Sequence, residues 1–288
     1  MYKKIFCSLI LGAMVSVLSA LPSLMEKKSF DSASIQNLDV SLIWEDITFK
    51  PVNTSDIFVE IYCTKKKYIP DVKLSSSTLI IESKHLDMGA KSDSKSCEII
   101  VYIPTRQQFK KIHISSTSGT VQGDLPTSEK VTAQTTSGSI KFESCITDFF
   151  DSSSTSGSIT VRELTCKGLS VSSLSGTIGL ELQRAIGKNS SISTTSGLIF
   201  ISMPENSPLT VKATTSSGSF TNSFTREKIS TLVNYNREIN GGGALLKLSS
   251  TSGTITLDSN TFISSPISII EDDPVAEIPV VIFDEKDF

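Results

Sequence analysis

The chain has 288 residues and a mass of 31.1 kDa, room for one large domain or two small ones. Thirty acidic against 27 basic side chains leave a net charge of −3, without the basic footprint of a nucleic-acid binder. Ser (50) and Thr (28) supply 78 residues and His only two, so a His-rich metal centre is excluded and no cofactor is implied.

Residues 1–20 read as a signal peptide. Lys3 and Lys4 open it, residues 5–18 form an uncharged apolar run, and Ser19 and Ala20 offer a small-residue cleavage point. The alternative is an uncleaved anchor, because residues 5–25 carry no charge over a length that can span a bilayer. That anchor is the one route to a membrane the sequence offers. Cys7 lies inside the apolar run, too early for lipid attachment. Residues 21–34 follow as a linker.

Over residues 35–112, short apolar runs at 40–43, 57–62, 79–81 and 98–103 predict strands. They make an N-terminal β cap with one or two degenerate coils, which a repeat stack needs to close its end. Lys65, Lys66 and Lys67 mark a solvated turn.

Residues 113–260 are a repeat. Ser-Gly recurs with glycines at Gly119, Gly138, Gly157, Gly176, Gly197, Gly218 and Gly253, spaced 19, 19, 19, 21, 21 and 35 residues apart. Two positions after each glycine stand Val121, Ile140, Ile159, Ile178, Ile199, Phe220 and Ile255. Four positions after come Phe142, Val161, Leu180, Ile201 and Leu257, interrupted by Gly123 and Asn222. Apolar residues two apart describe a strand with one buried face. Such a unit cannot bury that face alone but can against copies of itself, so the fold class is all-β, a parallel β-solenoid. The glycines are structural turns, expected at positive φ. The neighbouring hydroxyls bond local backbone groups, and nothing supplies a base that would make them nucleophiles.

Cys145 follows its glycine by seven positions and Cys166 by nine. Adjacent coils about 4.8 Å apart suit a disulfide, whose Cα atoms lie roughly 4.4–6.8 Å apart. A Cys145–Cys166 staple is therefore predicted, leaving Cys63 and Cys97 for each other. The surplus in the last interval, residues 220–245, is a candidate binding loop with Arg226, Tyr235, Asn236 and Arg237. Residues 261–288 form an acidic tail in which 278–283 could make one more strand.

The recurring T-T/S-S-G-x-Φ-x-Φ unit, its lead-in Val101-Tyr102-Ile103-Pro104 with Ile112 and Ile114, and its closing stretch 246–257 resemble a known family. It is the bacterial domain-of-unknown-function family known by a candidate-adhesin label, and the resemblance covers about residues 35–260. It implies an exported or membrane-associated β-solenoid with no catalytic residues. The long last insertion and the four cysteines depart from the family pattern.

The expectation is a non-enzymatic envelope protein, periplasmic or on the cell surface, that binds a polysaccharide or a protein through a hydroxyl-rich solenoid face. An envelope scaffold that docks a partner is the alternative. A β-helix polysaccharide lyase or hydrolase would need converging carboxylates, and only Glu143 and Glu163 stand at comparable positions. His85 and His113 are placed outside the regular coils.

Overall fold

A computed structural model describes residues 22–84, 96–230 and 233–260. Residues 1–20, read above as a signal peptide, His85 and the acidic segment 261–288 lie outside the described residues. The N-terminal part contains β1 (Ser23–Asp31), β2 (Asn37–Leu42), β3 (Asp46–Val52), β4 (Asp56–Cys63), β5 (Asp71–Ser75), β6 (Thr78–Glu82) and β7 (Cys97–Pro104). The regular coils follow in β8 (Gln108–Ser116), β9 (Val121–Asp124), β10 (Thr127–Thr135), β11 (Ile140–Ser154), β12 (Ile159–Ser173), β13 (Ile178–Leu182), β14 (Ser190–Ser196) and β15 (Ile199–Pro204). The C-terminal part contains β16 (Leu209–Asn222), β17 (Glu227–Ser230), β18 (Val233–Ile239) and β19 (Ala244–Asn260).

Each coil has a leading strand before its glycine and a trailing strand after it. β11 and β12 bend through the second corner, where a trailing strand becomes the next leading one, whereas β16 and β19 run through the glycine corner. Copies pair in parallel at equivalent positions, so Ile140 lies between Val121 and Ile159, and Ile178 between Ile159 and Ile199. The two apolar columns after the glycines are thereby buried, Ile140, Ile159 and Ile178 completely. A single 19-residue unit leaves both edges of its strands and its apolar face open, and only coils stacked on both sides cover them. The two breaks in the columns are filled from elsewhere. Gly123, at φ +111°, lies beside Phe49, and buried Asn222 donates from its amide to the Tyr235 hydroxyl.

The seven corner glycines do stack, but for a different reason than the expected positive φ. Among the described glycines only Gly123, Gly241 and Gly242 adopt the left-handed region. A Cβ on Gly138 would collide with the carbonyl oxygen of Gly119, one on Gly157 with that of Gly138, and one on Gly176 with that of Gly157. Backbone packed on backbone, coil after coil, leaves no room for a side chain.

The same contacts give the coil order, which is not sequential. Gly253 packs on Gly197, and Gly218 on Gly253. The last coil, β19, is inserted between the β14/β15 coil and β16, pairing in parallel with both. The chain first lays down β16 as the outermost coil and returns antiparallel over it as β17 and β18. It then tucks β19 in beneath. The N-terminal end uses the same device in reverse. β2 and β3 form a coil lying between β8/β9 on one side and β6/β7 on the other. β5 and β4 cover that outer coil antiparallel, and β1 adds to β4. Both ends of the stack therefore finish in antiparallel strands carrying charges such as Lys27 and Lys28 on β1 or Arg237 and Glu238 on β18, which guard an edge against further pairing.

Two sequence expectations need correction. Residues 23–31 are no linker; they are edge strand β1, paired with β4 from Ser23–Cys63 to Asp31–Asp56. Cys145 and Cys166 are not bonded to each other, and both are free and buried. Cys145 lies beside Leu164, and Cys166 beside Thr147. The two-residue offset adds about 6.6 Å along the strand to the 4.8 Å between coils, too far for a disulfide, which fails beyond roughly 7 Å between Cα atoms. Cys63 and Cys97 face each other across β4 and β7 and are disulfide-bonded.

Burial pushes the Cys166 thiol up to about 12 and the Cys145 thiol higher still, with Cys166 adding to the shift. Both stay protonated and poorly nucleophilic at neutral pH. A chain of residues 21–288, without Cys7, is expected to resist a thiol reagent at pH 8 and to expose two reactive thiols in denaturant. Rapid labelling of the native state contradicts the packing described.

Candidate binding surface

The corner hydroxyls serve the fold. Three positions before each glycine stand Ser116, Thr135, Ser154, Ser173, Thr194, Thr215 and Ser250, all buried. The Gly138 amide donates to Thr135 Oγ1 at 3.0 Å, and the Gly157 amide to Ser154 Oγ at 2.8 Å. Ser116 Oγ donates to the Gly119 carbonyl at 3.0 Å. Ser116, Thr135 and Ser154 thus help to close their turns, whereas the hydroxyls of Ser173, Thr194, Thr215 and Ser250 are buried at the same corner without a hydrogen-bond partner.

One residue earlier, the side chains point outward and form a ladder. Ser41, Ser115, Gln134, Ser153, Ser172, Ser193, Ser249, Thr214 and Asn234 are successive neighbours across the leading strands. At about 4.8 Å per rung the row is roughly 38 Å long, and each member is exposed or half-exposed. A parallel row runs beside it through Asp39, His113, Thr132, Asp151, Ser170, Ser191, Lys247, Lys212 and Asn236. This row is acidic toward the N-terminal cap and basic toward the other end. His113 thus belongs to the first regular coil, not outside it. On the trailing side, hydroxyls meet across coils: Ser158 Oγ donates to Ser139 Oγ, and Ser219 shares a hydrogen bond with Thr254, both at 3.3 Å.

The expected binding loop is largely a cap. Tyr235 is 4% exposed, tilted against Phe220, and its hydroxyl donates to Glu227 Oε2 at 2.8 Å. Arg237 lies over the Tyr235 ring, Arg226 turns the β16–β17 hairpin at φ +57°, and only Asn236 joins the outward rows. Glu143 is ion-paired with Arg162 at 3.2 Å, and Glu163 lies beside Ser144, so the two acids do not converge.

A polar cluster on the N-terminal cap was not anticipated. Alternation along β4 buries Ile57, Val59, Ile61 and Cys63 and turns Phe58, Glu60 and Tyr62 to the other face. Glu60 receives Lys27 at 2.9 Å on one oxygen and the hydroxyls of Tyr62 and Tyr102, at 2.9 and 3.2 Å, on the other. The Lys27 hydrogen bond is the main cause that holds this carboxyl below its ordinary value, with both tyrosines adding to it. A lowered carboxyl stabilises above its unfolded value and loses that contribution as pH falls through the folded one. Release of β1, read by amide exchange over residues 23–31, is expected to rise as pH falls below the ordinary carboxylate range. Glu60→Gln should flatten that dependence; an unchanged profile contradicts the assignment.

A family model matches residues 35–258, the span that holds all seven Ser-Gly coils. The chain belongs to the Toastrack DUF4097 family. Several solved structures are similar to the chain at low identity. A candidate cell adhesion protein from Clostridium sporogenes is 13% identical with a TM-score of 0.39, covering 83% of this chain and 100% of that one. A candidate adhesin from Parabacteroides distasonis is 14% identical with a TM-score of 0.46, covering 81% and 96%. A candidate lipid binding protein from the same species is 13% identical with a TM-score of 0.44, also covering 81% and 96%. No curated protein matches the chain.

Proposed function

We propose that this is an exported, non-catalytic envelope protein that binds a polar polymer, polysaccharide foremost, along the outward face of its leading strands. The supporting observation is the nine-rung ladder from Ser41 to Asn234, whose side chains are not consumed by the turns. Single hydroxyl contacts contribute little, about 0.5–1.5 kcal/mol each, so an extended ligand engaging many rungs is the chemistry that suits the face. The Cys63–Cys97 disulfide fits an oxidising compartment, in keeping with the signal peptide. A glycan array probed with the full mature chain tests the reading. Ser153→Ala, Ser172→Ala and Ser193→Ala together are expected to weaken a captured glycan at least tenfold with little change in thermal stability. Undiminished binding by that variant removes the ladder from the function.

A second reading, a periplasmic docking component, is favoured by Leu198 and Phe200, 53% and 39% exposed and two residues apart on the trailing side. Protease shaving of intact cells separates the two. Surface display predicts cleavage, and retention predicts protection until lysis.

A further inference from the structure

The second corner of the stack carries a trough whose shape follows from the repeat lengths. Three consecutive 19-residue intervals keep this corner short, and the two extra residues of the next interval fall in the 183–189 loop, which rises as a wall. On the short coils lie three adjoining cavities of about 450, 230 and 310 Å³, all touching Thr127. Ile146 forms the floor between two of them and is 47% exposed, the one exposed isoleucine among the described residues. Pro104, Leu125 and Pro126 continue the apolar floor. The rim is charged. Asp148 and Lys167 pair at 2.8 Å, Asp124 and Glu129 also line the cavities, and Arg184 in the wall and Lys110 at the far end make no ion pair among the described residues.

The end of β19 points to the occupant. Because β19 is tucked inside the stack, the chain does not leave from its end. Asn260 lies beside Pro204, with its carbonyl accepting from the Glu205 amide, on the same corner edge as the trough. Arg184 is two coils away, Ile146 four and Lys110 five. At 4.8 Å per coil these are about 10, 19 and 24 Å. The next residues are uncharged and rich in large apolar side chains, Phe262, Ile263, Ile267, Ile269 and Ile270, and are followed at once by Glu271, Asp272 and Asp273. At roughly 3.3 Å per residue, 262–270 reaches past Ile146 with slack, and the acids arrive near Lys110.

We propose that the trough is the seat of the chain's own segment 262–270, its isoleucines over Ile146 and its acidic end at Lys110. Tethering ten residues or fewer away gives an effective concentration in the millimolar range, so even weak contacts close it. The proposal concerns a different surface from the hydroxyl ladder and does not depend on what that ladder binds.

The test uses the full mature chain carrying Ile146→Cys with Ile267→Cys, oxidised mildly and mapped by peptide mass spectrometry, against Phe200→Cys with Ile267→Cys. An intrachain 146–267 bond forming at least tenfold faster than the 200–267 bond is expected. Equal rates mean a tail without a seat, and bonds only between chains mean a second copy's tail fills the trough; either overturns the proposal. Independently, Ile267→Asp with Ile269→Asp should raise amide exchange at residues 144–148 at least tenfold, and unchanged exchange overturns it too.

Discussion

Gly157→Ala is expected to cost at least about 3 kcal/mol, or to prevent folding, although alanine is the smallest possible replacement. The added methyl would occupy the place of the Gly138 carbonyl oxygen, which is backbone and cannot swing aside as a side chain could. Relief requires spreading two coils, which breaks the parallel pairs on both sides of the corner and opens the apolar columns behind it. Backbone strain is not the cause, since Gly157 lies outside the left-handed region. The control is Gly187→Ala, where a Cβ meets nothing within 4 Å, and its effect is expected within about 0.5 kcal/mol. Denaturant titration of both variants checks the pair. A Gly157→Ala protein within about 1 kcal/mol of wild type would show that the coils are less tightly stacked than described.

Loss of the Cys63–Cys97 disulfide is expected to cost roughly 3–4 kcal/mol, the loop entropy for cysteines 34 residues apart. The bond joins β4 to β7 across the segment that makes the β5–β6 hairpin and the outer N-terminal coil. Its removal should therefore act first on the cap. Cys63→Ala with Cys97→Ala is expected to move the unfolding midpoint and to raise amide exchange across residues 56–104 while 140–180 stays protected. Uniform loosening of the whole chain contradicts a cap that is tied locally.

The coil itself was legible in the sequence because its columns are set by spacing: the residues two and four after each glycine had to share a face. The coil order was not legible. The Gly253 coil offers Ile255 and Leu257 to a neighbour, and the Gly197 coil offers Ile199 and Ile201, so parallel pairing by column accepts either order. What decides is the antiparallel return of β17 and β18 over β16, whose alternation, Val233 and Tyr235 inward, resembles any short hairpin. The glycine requirement was legible as a fact but not as a cause, since a turn at positive φ and a backbone collision select the same residue. The cysteines held a readable clue: seven against nine positions after the glycine is a two-residue offset, and that offset separates Cys145 from Cys166. Glu60 was readable too. Strict alternation from Ile57 to Cys63 turns a carboxylate and two aromatics to one face, but their partners Lys27 and Tyr102 come from strands whose pairing no local pattern specifies.

The most direct test of the account is the neighbour of Ser193. In the structure it lies beside Ser249, and Thr214 is one coil further. Ser193→Cys with Ser249→Cys places the Cα atoms about 4.8 Å apart, within disulfide reach. That pair is expected to form an intrachain disulfide on mild oxidation, and Ser193→Cys with Thr214→Cys, about 10 Å apart, is expected to stay reduced. The reverse outcome, a 193–214 bond and no 193–249 bond, would mean that the coils stack in chain order and that the tucked ends do not exist.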